Sequence, residues 1–276
     1  MRTFFCIILL CLLNPATALI LESGGDGTNE TPPVDDPGFD HATNNAVYLG
    51  NRWVLAPAHT GAHAVGFGGV GYFPIPGTDF QLSNPDTGKS ALTDLILYQV
   101  DNDPGLDRLT IADQPPMVGE QVVVISVGKP RNGPRLFWDA AFNPTTEGSA
   151  VHSGYAWAGS GSFGKRWGTN EVSLETQYQE IGGVDIAVFE TVFDMPSGKA
   201  LDDECQAAAG DSGGAAFVMR EGQWQLVGVI IALDDINGQP ASTSVYGNST
   251  LYADLTVYRD QIVGTVPVTL QTFSVE

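Results

Sequence analysis

The sequence is poor in cysteine, in positive charge and in long apolar runs. Of its 276 residues only three are cysteines, and Cys6 and Cys11 fall in the opening stretch. That stretch carries Arg2, the apolar run from Phe4 to Leu13, then Pro15 and Ala16-Thr17-Ala18. These are the n-region, h-region and small-residue cleavage site of a secretory signal peptide. The run is too short to span a bilayer and no stop-transfer charges follow it, which argues against a membrane anchor. Removal of residues 1–18 would make Leu19 the first residue of a secreted chain, extracellular or periplasmic, that keeps only Cys205. No intramolecular disulfide can then form, and stability must come from an apolar core, for which the chain is long enough.

Only 12 residues are Lys or Arg, against 32 Asp and Glu. Loss of Arg2 with the leader leaves 11 bases against 32 acids, a net charge of −21. A surface of that sign disfavours nucleic acid and anionic membranes as partners and favours solubility. Neither zinc-like Cys/His spacing nor a phosphate-binding loop is present, so no metal or organic cofactor is expected.

What the sequence does hold is glycine and proline, 33 and 17 residues, with 43% hydrophobic and 16% charged positions. This composition indicates a loop-rich, mostly β protein. Residues 22–40 are rich in Gly, Pro and acids and read as an exposed arm. Ala46–Leu49 and Trp53–Ala56, flanking Gly50-Asn51-Arg52, form a hairpin pattern. Further strands are expected over Leu95–Val100, Val122–Val127 and Val184–Phe193, with Ala215–Met219 paired to Trp224–Leu233. Leu255–Val263 reads as helix, and Gly154–Gly168 as a Gly/Ser-rich loop. Asn29-Glu30-Thr31 and Asn248-Ser249-Thr250 fit the glycosylation acceptor pattern, which arises often by chance.

One short segment stands out chemically. In Ala207-Ala-Ala-Gly-Asp-Ser-Gly-Gly-Ala-Ala-Phe217 an acid and a hydroxyl sit among residues with almost no side chain. Ser212 falls in the turn before a strand, which would hold its hydroxyl at a rigid loop tip. A serine becomes a nucleophile only when a base takes its proton and fixed donors receive the oxyanion. The backbone N–H groups of Gly210 and Ser212 could be those donors. Of the four histidines, His59 in "WVLAPAHTG" directly follows an apolar strand, as a positioned base would. Asp94 in "DLILYQV" and Asp185 in "DIAVFE" both open apolar strands, where an acid needs a hydrogen-bonding partner; local pattern does not separate them.

The segments "WVLAPAHTG", "TDLILYQV", "GDSGGAAF", "WQLVGVI" and "LYADLTVYRDQI" resemble, in order and approximate spacing, the trypsin/chymotrypsin family of serine peptidases. The resemblance runs from about His41 to Val263 and is weak over Gly128–Gly198. It implies two packed six-stranded antiparallel β-barrels with a short C-terminal helix, an all-β chymotrypsin-like fold. The corresponding division is an N-terminal arm and first barrel over 19–120, a second barrel and helix over 121–263, and a tail over 264–276. It implies His59 as general base, Asp94 as its orienting acid and Ser212 as nucleophile, with the N–H groups of Gly210 and Ser212 as oxyanion hole. Asp185 lies too near Ser212 in sequence for the family's acid and fits a structural strand.

Two departures from the family pattern leave the chemistry intact. Thr60 replaces the half-cystine beside the histidine, and Ala215 replaces the proline after Gly-Asp-Ser-Gly-Gly. A third bears on specificity: Ile231-Ala232-Leu233 stands where the family commonly has Ser-Trp-Gly, and Leu233 would narrow the pocket. Counting back six residues from Ser212 places Gln206 at the pocket floor, whereas a gapped register on Cys205-Gln206 places Asp203 there. The ungapped register predicts a preference for small or medium uncharged residues before the scissile bond. Family members also bury a new N-terminal ammonium against the acid preceding the nucleophile, here Asp211. Leu19 lies 40 residues before His59, close to the family's spacing, so signal cleavage would itself expose the activating terminus.

The expected activity is hydrolysis of protein or peptide substrates through an acyl-enzyme, by a chain expected to be monomeric. The rival expectation is a secreted binding protein that kept the fold and lost catalysis; the joint presence of all three triad residues and Gly210 speaks against it. An α/β esterase is disfavoured because "GDSGG" is not the Gly-x-Ser-x-Gly elbow.

Overall fold

The computed structural model describes residues 19–24, 28–159 and 164–266. The signal-peptide expectation for residues 1–18 and most of the 264–276 tail lie outside them. The described chain opens on a two-residue strand, β1 (Ile20–Leu21). The first half then forms β2 (Ala42–Thr43), β3 (Ala46–Gly50), β4 (Trp53–Pro57), β5 (Val65–Phe67), β6 (Val70–Tyr72), β7 (Phe80–Ser83) and β8 (Leu92–Gln99). The second half contributes β9 (Gln121–Gly128), β10 (Arg131–Trp138), β11 (His152–Trp157), β12 (Gly164–Ile181), β13 (Val184–Val192), β14 (Cys205–Gln206), β15 (Ala215–Arg220), β16 (Gln223–Asp234), β17 (Thr243–Val245) and β18 (Ser249–Asp254). The one α-helix among the described residues, α1 (Leu255–Thr265), ends the second half. No helix there is long and apolar enough to cross a membrane.

The second half closes as a six-stranded antiparallel barrel in the order β12-β13-β18-β16-β15-β9. The first half is a five-stranded sheet, β2-β3-β4-β8-β7, beside the separate hairpin β5-β6. At that seam a side chain replaces main-chain pairing: Thr43 Oγ1 donates to the Gly66 carbonyl at 3.0 Å and accepts the Gly66 N–H at 3.1 Å. The hairpin is short and rich in glycine, at 66, 68, 69 and 71, which weakens a ladder. One apolar cluster spans the halves, bringing Val47, Leu55 and Leu97 together with Ile125, Phe217 and Leu226. Burial of each such side chain contributes about 1.5–3 kcal/mol, which holds the two halves in fixed relation.

One expectation about an irregular region is corrected. The stretch read as a Gly/Ser loop, Gly154–Gly168, lies largely in β11 and β12, although residues 160–163 are not described. Gly168 is in a strand because the chain is approached closely there: a Cβ would come within 2.5 Å of Cys205 Cβ and 2.8 Å of Leu21 Cδ2. Within the stretch of weak resemblance, β10 and β11 join β17 in a separate sheet, β10-β11-β17, outside the barrel, while β12 and β13 enter the barrel itself. The acceptor patterns are both engaged within the fold, since Asn248 is buried and Asn29 donates to the Trp167 carbonyl.

Helix α1 is capped by Asp254, whose carboxylate accepts the Thr256 N–H at 2.8 Å. The helix also reaches back to the first half. Gln261 accepts the Ser83 N–H and donates to its carbonyl. Tyr258 OH donates to Asn84, and the Thr93 hydroxyl donates to it.

Candidate active site

The position of His59 follows from strand register. β4 and β8 run antiparallel with Pro57 opposite Leu95, so the residues just past that pair, Ala58 to Thr60 and Asp94, are brought side by side. Pro57 has no N–H and ends the strand, and a 3-10 turn over Ala58–Thr60 follows. The turn is closed by the Thr60 hydroxyl, which donates to the Pro57 carbonyl at 2.8 Å, and by the Gly61 N–H on the Ala58 carbonyl at 3.0 Å. Thr60 thus fixes the turn locally.

Asp94 holds His59 twice. Its Oδ1 accepts the His59 backbone N–H at 2.8 Å, and its Oδ2 accepts Nδ1–H at 2.6 Å. The second bond fixes the tautomer with the lone pair on Nε2. Asp94 is buried while the imidazole is 45% exposed, and the hydrogen bond to Asp94 raises the histidine pKa above its ordinary 6.5. Asp185 is engaged elsewhere: it accepts the Ser90 N–H at 2.8 Å and pairs with Lys89. The other histidines are also committed to structure. His41 is buried against the Tyr48 carbonyl, His63 bridges the Gly61 and Asn44 carbonyls, and His152 stacks on Phe142 at 4.2 Å.

The loop bearing Ser212 is held by main-chain bonds, two within the loop and one to β16. Asp211 N–H reaches the Ala208 carbonyl, Gly213 N–H the Ile230 carbonyl and Gly214 N–H the Asp211 carbonyl, at 3.0, 2.7 and 2.9 Å. Among the described residues, the N–H groups of Gly210 and Ser212 enter no such bond. Gly210 and Gly213 take φ of 109° and 82°, values that other residues rarely adopt. A Cβ on Gly213 would also collide with the Asn45 backbone. Asn45, which the sequence reading missed, reaches across from the β2–β3 turn and donates to the carbonyls of both Gly210 and Ser212, at 3.2 and 3.0 Å. It fixes the carbonyls of Gly210 and Ser212 from the opposite half.

Ser212 Oγ and His59 Nε2 form no hydrogen bond with each other or with any other described group. The imidazole opens instead on a cavity of about 480 Å³ lined by Gln81, Ile181, Val184 and Ile231.

Asp211 is wholly buried and burial raises its pKa from 3.8 to about 6. Its Oδ2 accepts the Ala208 N–H at 2.7 Å, whereas Oδ1 completes no hydrogen bond of normal geometry. The Leu19 N–H acts on the same carboxylate and lowers its pKa. Gly128 makes room for it, because a Cβ there would collide with Oδ1. Leu19, Ile20 and Leu21 are fully buried, and β1 pairs with β14 in the register Ile20 to Gln206 and Leu21 to Cys205. Cys205 is a buried free thiol whose pKa is pushed up by burial.

Of the two pocket-floor candidates, Gln206 is buried and donates through Nε2 to the Ser249 carbonyl at 3.1 Å. Asp203 stands outside, half-buried at φ 60°, accepting from Ser23 Oγ. Leu233 faces Thr250 across the β16–β18 ladder, and Thr250 Oγ1 accepts the Ala207 N–H at 3.2 Å. Ile231 lies in the wall of the His59 cavity.

No protein-family model matches the sequence, and no curated protein matches it. Among solved structures, neuropsin, a serine protease expressed in the limbic system of mouse brain, is 16% identical, with a TM-score of 0.47 over 80% of this chain and 88% of its own. The Rv3671c protein of M. tuberculosis H37Rv, in an inactive form, is also 16% identical, with a TM-score of 0.47 over 89% of this chain and 98% of its own. The passenger domain of the plasmid encoded toxin of enteroaggregative Escherichia coli is 13% identical, with a TM-score of 0.47 over 84% of this chain but only 23% of its own.

Proposed function

We propose that this chain is a secreted serine endopeptidase that cleaves peptide bonds through His59, Asp94 and Ser212. The observation that carries the reading is the double grip of Asp94 on His59, which leaves Nε2 as a free lone pair, together with a Ser212 loop in which the N–H groups of Gly210 and Ser212 enter no main-chain bond. Ser212 Oγ attacks the carbonyl carbon while its proton passes to Nε2, and the oxyanion is received by the N–H groups of Gly210 and Ser212. Asp94 stabilises the imidazolium formed. The C–N bond then breaks, the amine leaves with the proton from Nε2, and water repeats the sequence on the acyl-enzyme. No step requires a metal or organic cofactor.

The same reading gives Leu19 a role. A buried Asp211 whose Oδ1 lacks a hydrogen bond is suited to an ammonium, and signal removal before Leu19 would create one beside it. The pocket reading is that Gln206, Leu233 and Thr250 leave space and polarity only for small or medium uncharged side chains. A fluorophosphonate probe tests the assignment directly: covalent labelling of the processed chain at Ser212 is expected. Absence of labelling in folded protein would leave the binding-protein alternative standing.

A further inference from the structure

The sheet β10-β11-β17 carries none of the residues assigned to the reaction, yet it is built around the start of the chain. Ile20 packs among Tyr155, Phe193, Ala208 and Tyr246. Glu22 Oε1 receives Arg135 Nη2 at 2.9 Å and the hydroxyls of Tyr155 and Tyr246 at 3.4 Å each. Its main chain is gripped as well, N–H to the Glu204 carbonyl at 2.8 Å and carbonyl from Arg131 Nη1 at 2.9 Å. The two arginines lie over the rings of Tyr155 and Tyr246, at 4.6 and 5.2 Å from their centres.

We propose that Glu22 and Arg135 are positioning residues that seat the amino terminus: they fix the register of β1 on β14 so that the Leu19 amino group meets Asp211. The proposal rests on the activation reading given above. A two-residue strand cannot hold its own register. A slip of one residue would carry the terminus about 3.4 Å along the strand and out of hydrogen-bond reach of Asp211. Fixing Glu22 three residues downstream prevents that slip, because so short an extended segment has little slack. The far edge of β1 is thereby coupled to Cys205–Gln206, the strand that leads into the Ser212 loop.

Docking of an ammonium is linked to pH. An amine held by a carboxylate has its pKa raised, so the docked state is complete at neutral pH and is lost as pH rises past that value. The alkaline limb of activity therefore reports the docking constant. Around the terminus stand Asp211 on the Ser212 loop, Arg166 on β12, Cys205 on β14 with Glu204 beside it, Arg131 and Arg135 on β10, Tyr155 on β11 and Tyr246 after β17. Glu204 titrates at about 7, below the alkaline window, while the Tyr246 hydroxyl is pushed up by burial beyond it.

Glu22→Gln removes the ionic contact and keeps a polar side chain. A docking constant about tenfold weaker is expected, which lowers the alkaline midpoint of kcat by about one pH unit while KM and the plateau stay within about twofold. The swap Glu22→Arg with Arg135→Glu should restore the midpoint that either single charge reversal depresses. A loss of general stability would lower the plateau without moving the limb. Hydrogen exchange of the Leu21, Glu22, Cys205 and Gln206 amides gives a second readout that needs no turnover, and about tenfold faster exchange is expected in Glu22→Gln. Unchanged limb and unchanged exchange in folded Glu22→Gln overturn the proposal. Failure of the processed chain to label with fluorophosphonate would instead overturn the peptidase reading, and the exchange comparison would still decide the clamp.

Discussion

Asp211 makes a prediction whose sign is opposite to that of an ordinary paired acid. Consider the Ser212→Ala chain, silenced against self-digestion, with a short stable extension ahead of Leu19 so that the Leu19 nitrogen remains an amide. Burial raises the Asp211 pKa from 3.8 to about 6 in this state. Between roughly pH 4 and 6 the folded protein therefore holds a proton that the unfolded chain has lost, and stability falls as pH rises through that window. Two pKa units correspond to about 3 kcal/mol. In the processed chain an ammonium lies beside the carboxylate, the proton is no longer needed, and this fall disappears. Glu204, raised to about 7 by burial, adds its own decline between about pH 4.5 and 7, but it does so in both chains and cancels in their difference. Urea unfolding at pH 4 and pH 7 is the assay. The extended chain should lose about 3 kcal/mol more than the processed chain, and Asp211→Asn in the extended chain should abolish the excess. Parallel pH profiles for the two chains would refute the pairing of Leu19 with Asp211.

The remaining predictions concern turnover. Ser212→Ala or His59→Ala should each cost about 10⁶-fold in kcat and the double variant little more, whereas Asp94→Asn should cost about 10⁴-fold and Asp185→Asn nearly nothing; damage from Asp185→Asn alone would mean that the wrong acid had been assigned. Because Asp94 raises the His59 pKa above 6.5, kcat/KM should fall as pH drops through a midpoint above that value, and a midpoint below 6 would contradict the hydrogen bond. Asn45→Ala frees the carbonyls of Gly210 and Ser212 and should lower kcat about tenfold with KM little changed; an effect confined to KM would deny it a part in shaping the oxyanion site. Peptides differing only before the scissile bond should be cut about 100-fold faster after Ala or Val than after Arg, and the reverse order, abolished by Asp203→Asn, would reinstate the gapped register.

The sequence made the local parts of the site readable and left its long-range parts open. Ser212 and His59 stand out as candidates because each is announced by its neighbours, small residues around one and an apolar strand running into the other. Asp94 and Asp185 could not be separated that way, since the choice depends on the pairing of β4 with β8, a contact between distant segments. Asn45 gave no signal, because a turn asparagine looks the same whether or not it reaches another loop. The strands β10 and β12 were missed for a different reason. β10 contains Gly133 and Pro134 at a register shift, and much of β12 is polar and partly exposed, so neither shows the alternation by which a strand is recognised.

Helix α1 has a consequence for the order in which the molecule can be completed. Its residues follow those of both sheets in the sequence, yet Gln261 holds Ser83 and Tyr258 holds Thr93, the neighbour of Asp94. During synthesis β4, β7 and β8 can pair before the helix exists, and the contacts of Gln261 with Ser83 and of Tyr258 with Thr93 are added only once it is made. A chain truncated before the helix would thus keep all three residues of the proposed triad and the β4–β8 register that sets Asp94 beside His59, but would lose the Thr93–Tyr258 bond that braces the acid's neighbour. The helix is in this sense a late brace, a latch that the first half acquires only after the barrel strands of the second half have been made.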